Sequence, residues 1–177
     1  SDDQDMLKRL EARQAQDAVE KLVAPVHKMW PQGFSNKLRA DNPIPLREIK
    51  EVAKLGPAAN GPAMQLLSDP HPLVRSVGLS LITEVNGLNA YTLNVLMLTD
   101  EALCVRYNAA SNLSRFEEHM PRIPTWRRPA KLGDADRATY HTEAMKLLDW
   151  ISMNSPPIPK HQLPAYSKPA RERVAGD

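Results

Sequence analysis

The chain has 177 residues, a length that holds one domain of ordinary size with a core of its own. Twenty-three Lys and Arg stand against 21 Asp and Glu, and a net charge of +2 is too balanced to predict nucleic-acid or membrane binding from overall charge. No apolar run approaches the ~18 residues that cross a bilayer, which excludes an integral membrane protein, and the single Cys104 excludes a disulfide framework and a zinc ribbon.

Proline is abundant at 16 residues and aromatics are scarce at 5%, so proline placement says more about architecture than aromatic chemistry does. A lone thiol is compatible with cytosol or periplasm. The compartment is not fixed by the sequence, with the cytoplasm slightly favoured, and the start reads as no signal peptide, having no basic region followed by an apolar run. A cleaved signal peptide would leave the same beginning, so a periplasmic or secreted location stays open.

Residues 1–30 hold five basic and six acidic side chains and read as an N-terminal charged helix. Ser1, Asp2 and Asp3 are good N-cap and first-turn residues. A stripe at Ala15, Ala18, Val19, Leu22, Val23, Val26 and Met29/Trp30 has helical spacing, which Met6, Leu7 and Leu10 extend upstream. Pro25 is expected to end or kink this helix. Residues 31–44 read as a loop, with Gly33, Asn36, Asn42 and Pro43. From Pro45 to about Leu98 short apolar segments are separated by breaks at Gly56-Pro57, Asn60-Gly61-Pro62, Asp69-Pro70, Asn86-Gly87 and Asp100. Such short segments and links predict antiparallel helical hairpins, and no alternating β-branched runs argue for a sheet.

Shifting the chain by 31 residues lays Ala63–Asp69 over Asn94–Asp100, and Leu73-Val74-Arg75 over Cys104-Val105-Arg106. Gly78 then falls on Ala109 and Ile82 on Leu113. The shared pattern is an apolar helix end, Ser/Thr-Asp, a short link, Val-Arg, and a small residue three further on. The aspartate is expected to cap the second helix of each pair, and the small residue to admit a neighbouring helix at close range. At Asp69…Val74-Arg75 and Asp100…Val105-Arg106 the chain resembles the HEAT and armadillo-like helical repeats. The resemblance covers residues 60–115 and implies an all-α fold, a short right-handed stack of antiparallel helix pairs. It also implies that Arg75 and Arg106 are structural, pairing with turn aspartates of their own or the next repeat. On function it says little, since that family includes scaffolds, adaptors and a few enzymes. Pro45-Leu46-Arg47, set against Pro72-Leu73-Val74, reads as a degraded preceding copy, so the repeat domain spans 31–153 with its repeats at 45–115.

Cys104 aligns with the core position Leu73 and reads as a buried, inert thiol. His27 and His71 lie beside prolines at helix ends, where capping or surface roles are the default. Glu117-Glu118-His119, His141 and Glu143 are metal-ligand residue types without metal-ligand spacing, so no metal and no other cofactor is expected. Glycine-rich phosphate loops and nucleophile elbows are missing, and no catalytic residue is assigned.

The 116–133 segment is a basic, proline-rich insertion. It carries Arg122, Arg127, Arg128 and Lys131 around Trp126, residue types that concentrate in interface hot spots. It reads either as a partner-binding loop or as a packed crossover whose tryptophan covers the end of the helical stack. A last helix is expected over 134–153. Residues 154–177 hold five prolines and read as an extended tail, with Ile158, Leu163 and Tyr166 as anchors on its own chain or on a neighbouring subunit. Together these point to a non-catalytic scaffold or adaptor whose partners are other protein subunits. The competing reading is a nucleic-acid-binding repeat protein that uses the same basic loop.

Overall fold

The computed structural model describes residues 1–29 and 44–116, and among these every regular element is helical. The expected loop at 31–43, the 117–133 stretch of the basic loop, the 134–153 helix and the 154–177 tail lie outside the described residues.

Helix α1 runs from Asp2 to Met29. The Ser1 hydroxyl accepts the Gln4 N–H at 3.3 Å, and Asp2, Asp3 and Asp5 place carboxylates at the positive end of the helix dipole. Ala15, Val19, Leu22, Val23 and Val26 are its buried stripe. Pro25 neither ends nor splits the helix. It is exposed, so its ring stays out of the packed face, and the missing N–H deprives only the Lys21 carbonyl of an intrahelical donor. Met6, Leu7 and Leu10 do not extend the stripe, being 61%, 57% and 58% exposed. At 100° per residue Met6 and Leu10 project to the side opposite Ala15, Leu22 and Val26, and Leu7 lies between the two sides.

Helix α2 (Leu46–Ala53) buries Ile49, and a 3-10 turn over Gly56–Ala59 then runs directly into α3 (Asn60–Leu66). The break expected at Asn60-Gly61-Pro62 is therefore a helix start. Pro62 sits among the first residues of α3, whose N–H groups have no intrahelical acceptor anyway. Helix α4 (Pro72–Asn86) follows, then a second 3-10 turn over Gly87–Ala90, then α5 (Tyr91–Met97) and α6 (Leu103–Ser114).

Both 3-10 turns open on a glycine of positive φ, +68° at Gly56 and +58° at Gly87, where a side chain would strain the backbone. The two glycines are themselves 31 residues apart. The end of α2 is thus in register with the end of α4 at the same 31-residue interval. The match of Pro45 with Pro72 marks two helix starts and not the register of a repeat.

Among the described residues, helix α4 is the central element. It packs against α3, against α2 and against α6, while α5 pairs with α6 and α1 lies over α2, α3, α4 and the first 3-10 turn. Every residue from Pro72 to Thr83 is buried, as a helix enclosed on several sides requires. Met64, Leu67, Val74, Val77, Leu81, Ile82, Leu93, Leu96 and Leu98 build one continuous core across the pairs.

Candidate functional site

The repeated Asp and Arg residues meet where one helix pair adjoins the next. Arg75, on the first turn of α4, reaches the turn before α6. Its Nε donates to Asp100 Oδ2 at 3.2 Å and its Nη2 to Asp100 Oδ1 at 3.1 Å, a bidentate pair in which Arg75 is 7% and Asp100 1% exposed. Nη1 donates to the carbonyls of Asp69 and Pro70 at 3.0 and 3.1 Å, and Glu101 Oε1 lies 3.6 Å from Nη2. Acceptors thus surround all three guanidinium nitrogens, which leaves the fork no free edge for a phosphate. Arg106 makes the same backbone contacts in the following unit, its Nη1 donating to the carbonyls of Asp100 and Glu101 at 2.8 and 2.7 Å. Burial pulls this guanidinium below its ordinary pKa, and the nearby Asp100 works in the opposite direction.

The aspartates act one step earlier than a simple cap. Asp69 Oδ1 accepts the N–H of His71 at 2.8 Å, and Asp100 Oδ1 accepts the N–H of Ala102 at 2.9 Å. Each closes a tight turn onto the N-cap residue, two positions on, and is not itself the N-cap. The N-cap of α4 is His71, whose Nδ1 accepts the Leu73 N–H at 3.2 Å; that ring nitrogen is therefore unprotonated. His27 at the end of α1 lies with Nε2 3.3 Å from Asp69 Oδ2 and its ring edge-on to that of His71. Both histidines thus sit at helix ends, as expected, and they tie α1 to the turn before α4.

A second polar set escapes the reading of the sequence. Asn108 and Asn112, one turn apart on α6, point into the bundle. Asn108 Nδ2 donates to the Ser76 carbonyl and to Ser80 Oγ of α4 at 2.9 and 2.7 Å. Asn112 Nδ2 donates to Asn94 Oδ1 at 3.0 Å, and Asn94 Nδ2 donates to Thr83 Oγ1 at 2.9 Å. At the other end of α4, Asn86 and Asn60 exchange amide hydrogen bonds of 2.7 and 3.4 Å. These bonds fix helix register, because a one-residue slip would strand buried amides.

Cys104 is buried, and burial pushes its thiol up to about 11, partly offset by the neighbouring Ser76. The unfolded chain releases this proton first. The thiol's contribution to stability is therefore constant below its ordinary value of 9.0 and is lost as pH rises from there to about 11. In the folded protein, labelling by a thiol-specific disulfide reagent at pH 7–8 is expected to proceed only as fast as global unfolding allows. Labelling at the rate of a free thiol would place Cys104 at the surface.

A cleft of about 680 Å³ opens between α1 and α2, floored by Leu22, Val26, Ile44 and Val52 and rimmed by Lys21, Arg47, Glu48 and Glu51. Its rim has two bases and two acids, so it selects no ionic ligand by charge. Among the described residues no group of three His, Cys, Asp or Glu is arranged to hold a metal ion, and no helix is long and apolar enough to cross a membrane. Arg122, Trp126, Arg127, Arg128, Lys131, Ile158, Leu163 and Tyr166 lie outside the described residues, as do Glu117, Glu118, His119, His141 and Glu143. Compared with family models, curated proteins and solved structures, the chain matches none of them.

Proposed function

We propose that this chain is a non-catalytic scaffold or adaptor built as a short stack of HEAT/armadillo-like helix pairs, serving as a subunit of a larger protein complex. The observation that carries the reading is the recurrence, at a 31-residue interval, of one turn chemistry joined across units by the buried Arg75–Asp100 pair. In both units the aspartate closes its turn and the arginine ties down the carbonyls beside it. The convergent polar groups of α3–α6 are thus engaged in joining helices, as a repeat array needs and a catalytic centre does not.

On this reading the partner contacts come from the basic loop, with Trp126 as the rigid apolar anchor and Arg122, Arg127, Arg128 and Lys131 facing acidic groups on another protein. Ile158, Leu163 and Tyr166 of the tail supply a second contact. The test is a combined Trp126→Ala/Arg127→Ala/Arg128→Ala variant, compared with the unaltered chain in capture from the native source and in thermal melting. Loss of a captured protein partner with an unchanged melting temperature is the expected result. Normal capture with early melting would make Trp126 a packing residue. Capture of nucleic acid in place of protein, weakened roughly tenfold or more between 50 and 200 mM salt, would favour the phosphate-binding alternative.

A further inference from the structure

The first half of α1 projects beyond the bundle. Residues 2–11 are all exposed, and Ala15 is the first buried residue of the helix. About 20 Å of helix therefore stands clear of the other described elements, a length that is marginal in water alone. This arm carries the three most exposed of the large apolar side chains among the described residues, Met6, Leu7 and Leu10. At 100° per residue, Asp3, Met6, Leu10 and Arg13 form one seam, with Leu7 at its edge, on the side of α1 roughly opposite the buried Ala15–Val26 stripe.

We propose that this seam is a self-association surface whose occupant is the same arm of a second copy, packed antiparallel. The charge order specifies that partner and that direction. Residues 1–5 hold three acids and no base, whereas residues 8–13 hold three bases and one acid. An antiparallel second copy sets Met6 against Leu10 and Leu10 against Met6 at the centre. It brings Asp3 of each copy to Arg13 of the other at the two ends. A parallel pair would set Asp3 against Asp3 and Arg13 against Arg13, which like-charge repulsion disfavours. Three apolar side chains per copy fall well short of the ~800 Å² per partner of a standard interface, so the dimer is weak, with dissociation on the order of 100 μM. Association through this arm uses none of the residues assigned to partner capture, so it stands or falls separately from the scaffold reading.

Sedimentation velocity on the full chain, from about 10 to about 500 μM, tests it. The unaltered chain should shift toward dimer over that range, and a Met6→Ser/Leu10→Ser variant should remain monomeric throughout. Asp3→Arg alone and Arg13→Asp alone should each weaken self-association at least tenfold, because each places like charges at both ends of the seam. An equimolar mixture of these two variants should associate as strongly as the unaltered chain, since both end pairs become attractive again. The inference is overturned by a chain that stays monomeric to the top of the range. It is also overturned by a serine variant that dimerises as before, or by a mixture no more associated than its separate components.

Discussion

Arg75→Ala is expected to cost about 3–5 kcal/mol of folding stability and to lower Tm by roughly 10–15 °C. The magnitude follows from what the substitution leaves behind. Asp100 is 1% exposed, and without Arg75 its carboxylate loses both bonds of a bidentate pair while staying inside the protein. The carbonyls of Asp69 and Pro70 lose their donor in the same step. An exposed pair such as Lys54–Glu51, one helical turn apart on the surface, offers the contrast: Glu51→Ala should move Tm by no more than a degree or two. Thermal unfolding of the three proteins side by side checks the ranking. An Arg75→Ala protein as stable as the Glu51→Ala protein would mean that the buried pair is not needed to join the units.

Gly78→Ala should destabilise by about 1–3 kcal/mol, although helix propensity alone predicts a gain of about 1 kcal/mol. A Cβ on residue 78 would stand 2.7 Å from Leu66 Cβ and 2.8 Å from the Ala63 carbonyl oxygen. Both obstacles belong to α3: one is a backbone atom and the other is fixed directly to backbone. Relief therefore requires the two helices to separate, and the overlap outweighs the gain in propensity. Ala109, the equivalent position on α6, already carries its methyl group in a fully buried site. Urea unfolding distinguishes the two effects by sign, and a stabilised Gly78→Ala protein would show that α3 and α4 are not held at this distance.

The helical class is legible in the sequence because the apolar residues of 60–115 recur at helical spacing between short breaks. The Asp…Val-Arg recurrence is legible as well, since a charged pair that repeats at a fixed interval stands out from a solvated surface. Other features are not, each for a physical reason. Pro25 reads as a breaker by a rule about isolated helices, but burial of Ala15, Val19, Leu22, Val23 and Val26 holds α1 together through it. Gly56 and Gly87 read only as breaks, although their shared positive φ and 31-residue spacing mark the register of α2. Asn108 and Asn112 pass as surface polar residues, because a pattern of apolar positions cannot distinguish an amide facing water from one bonded to Ser80 and Asn94 inside the bundle. Met6 and Leu10 fall on the right helix and the wrong face, since the apolar line they form is rotated away from the one that packs.

The link that Arg75 and Asp100 form between α4 and the turn before α6 is expected to behave as one unit. Its direct test is a double-mutant cycle in urea unfolding with Arg75→Met, Asp100→Asn and the double variant. Each single change takes the bidentate partner from a buried charge, and the double change removes both charges of the pair while keeping an acceptor for the Ala102 N–H. The double variant is therefore predicted to be more stable than the sum of the single losses implies, by about 2–3 kcal/mol. Losses that add to within about 0.5 kcal/mol would contradict it, because two residues that do not interact behave in that way.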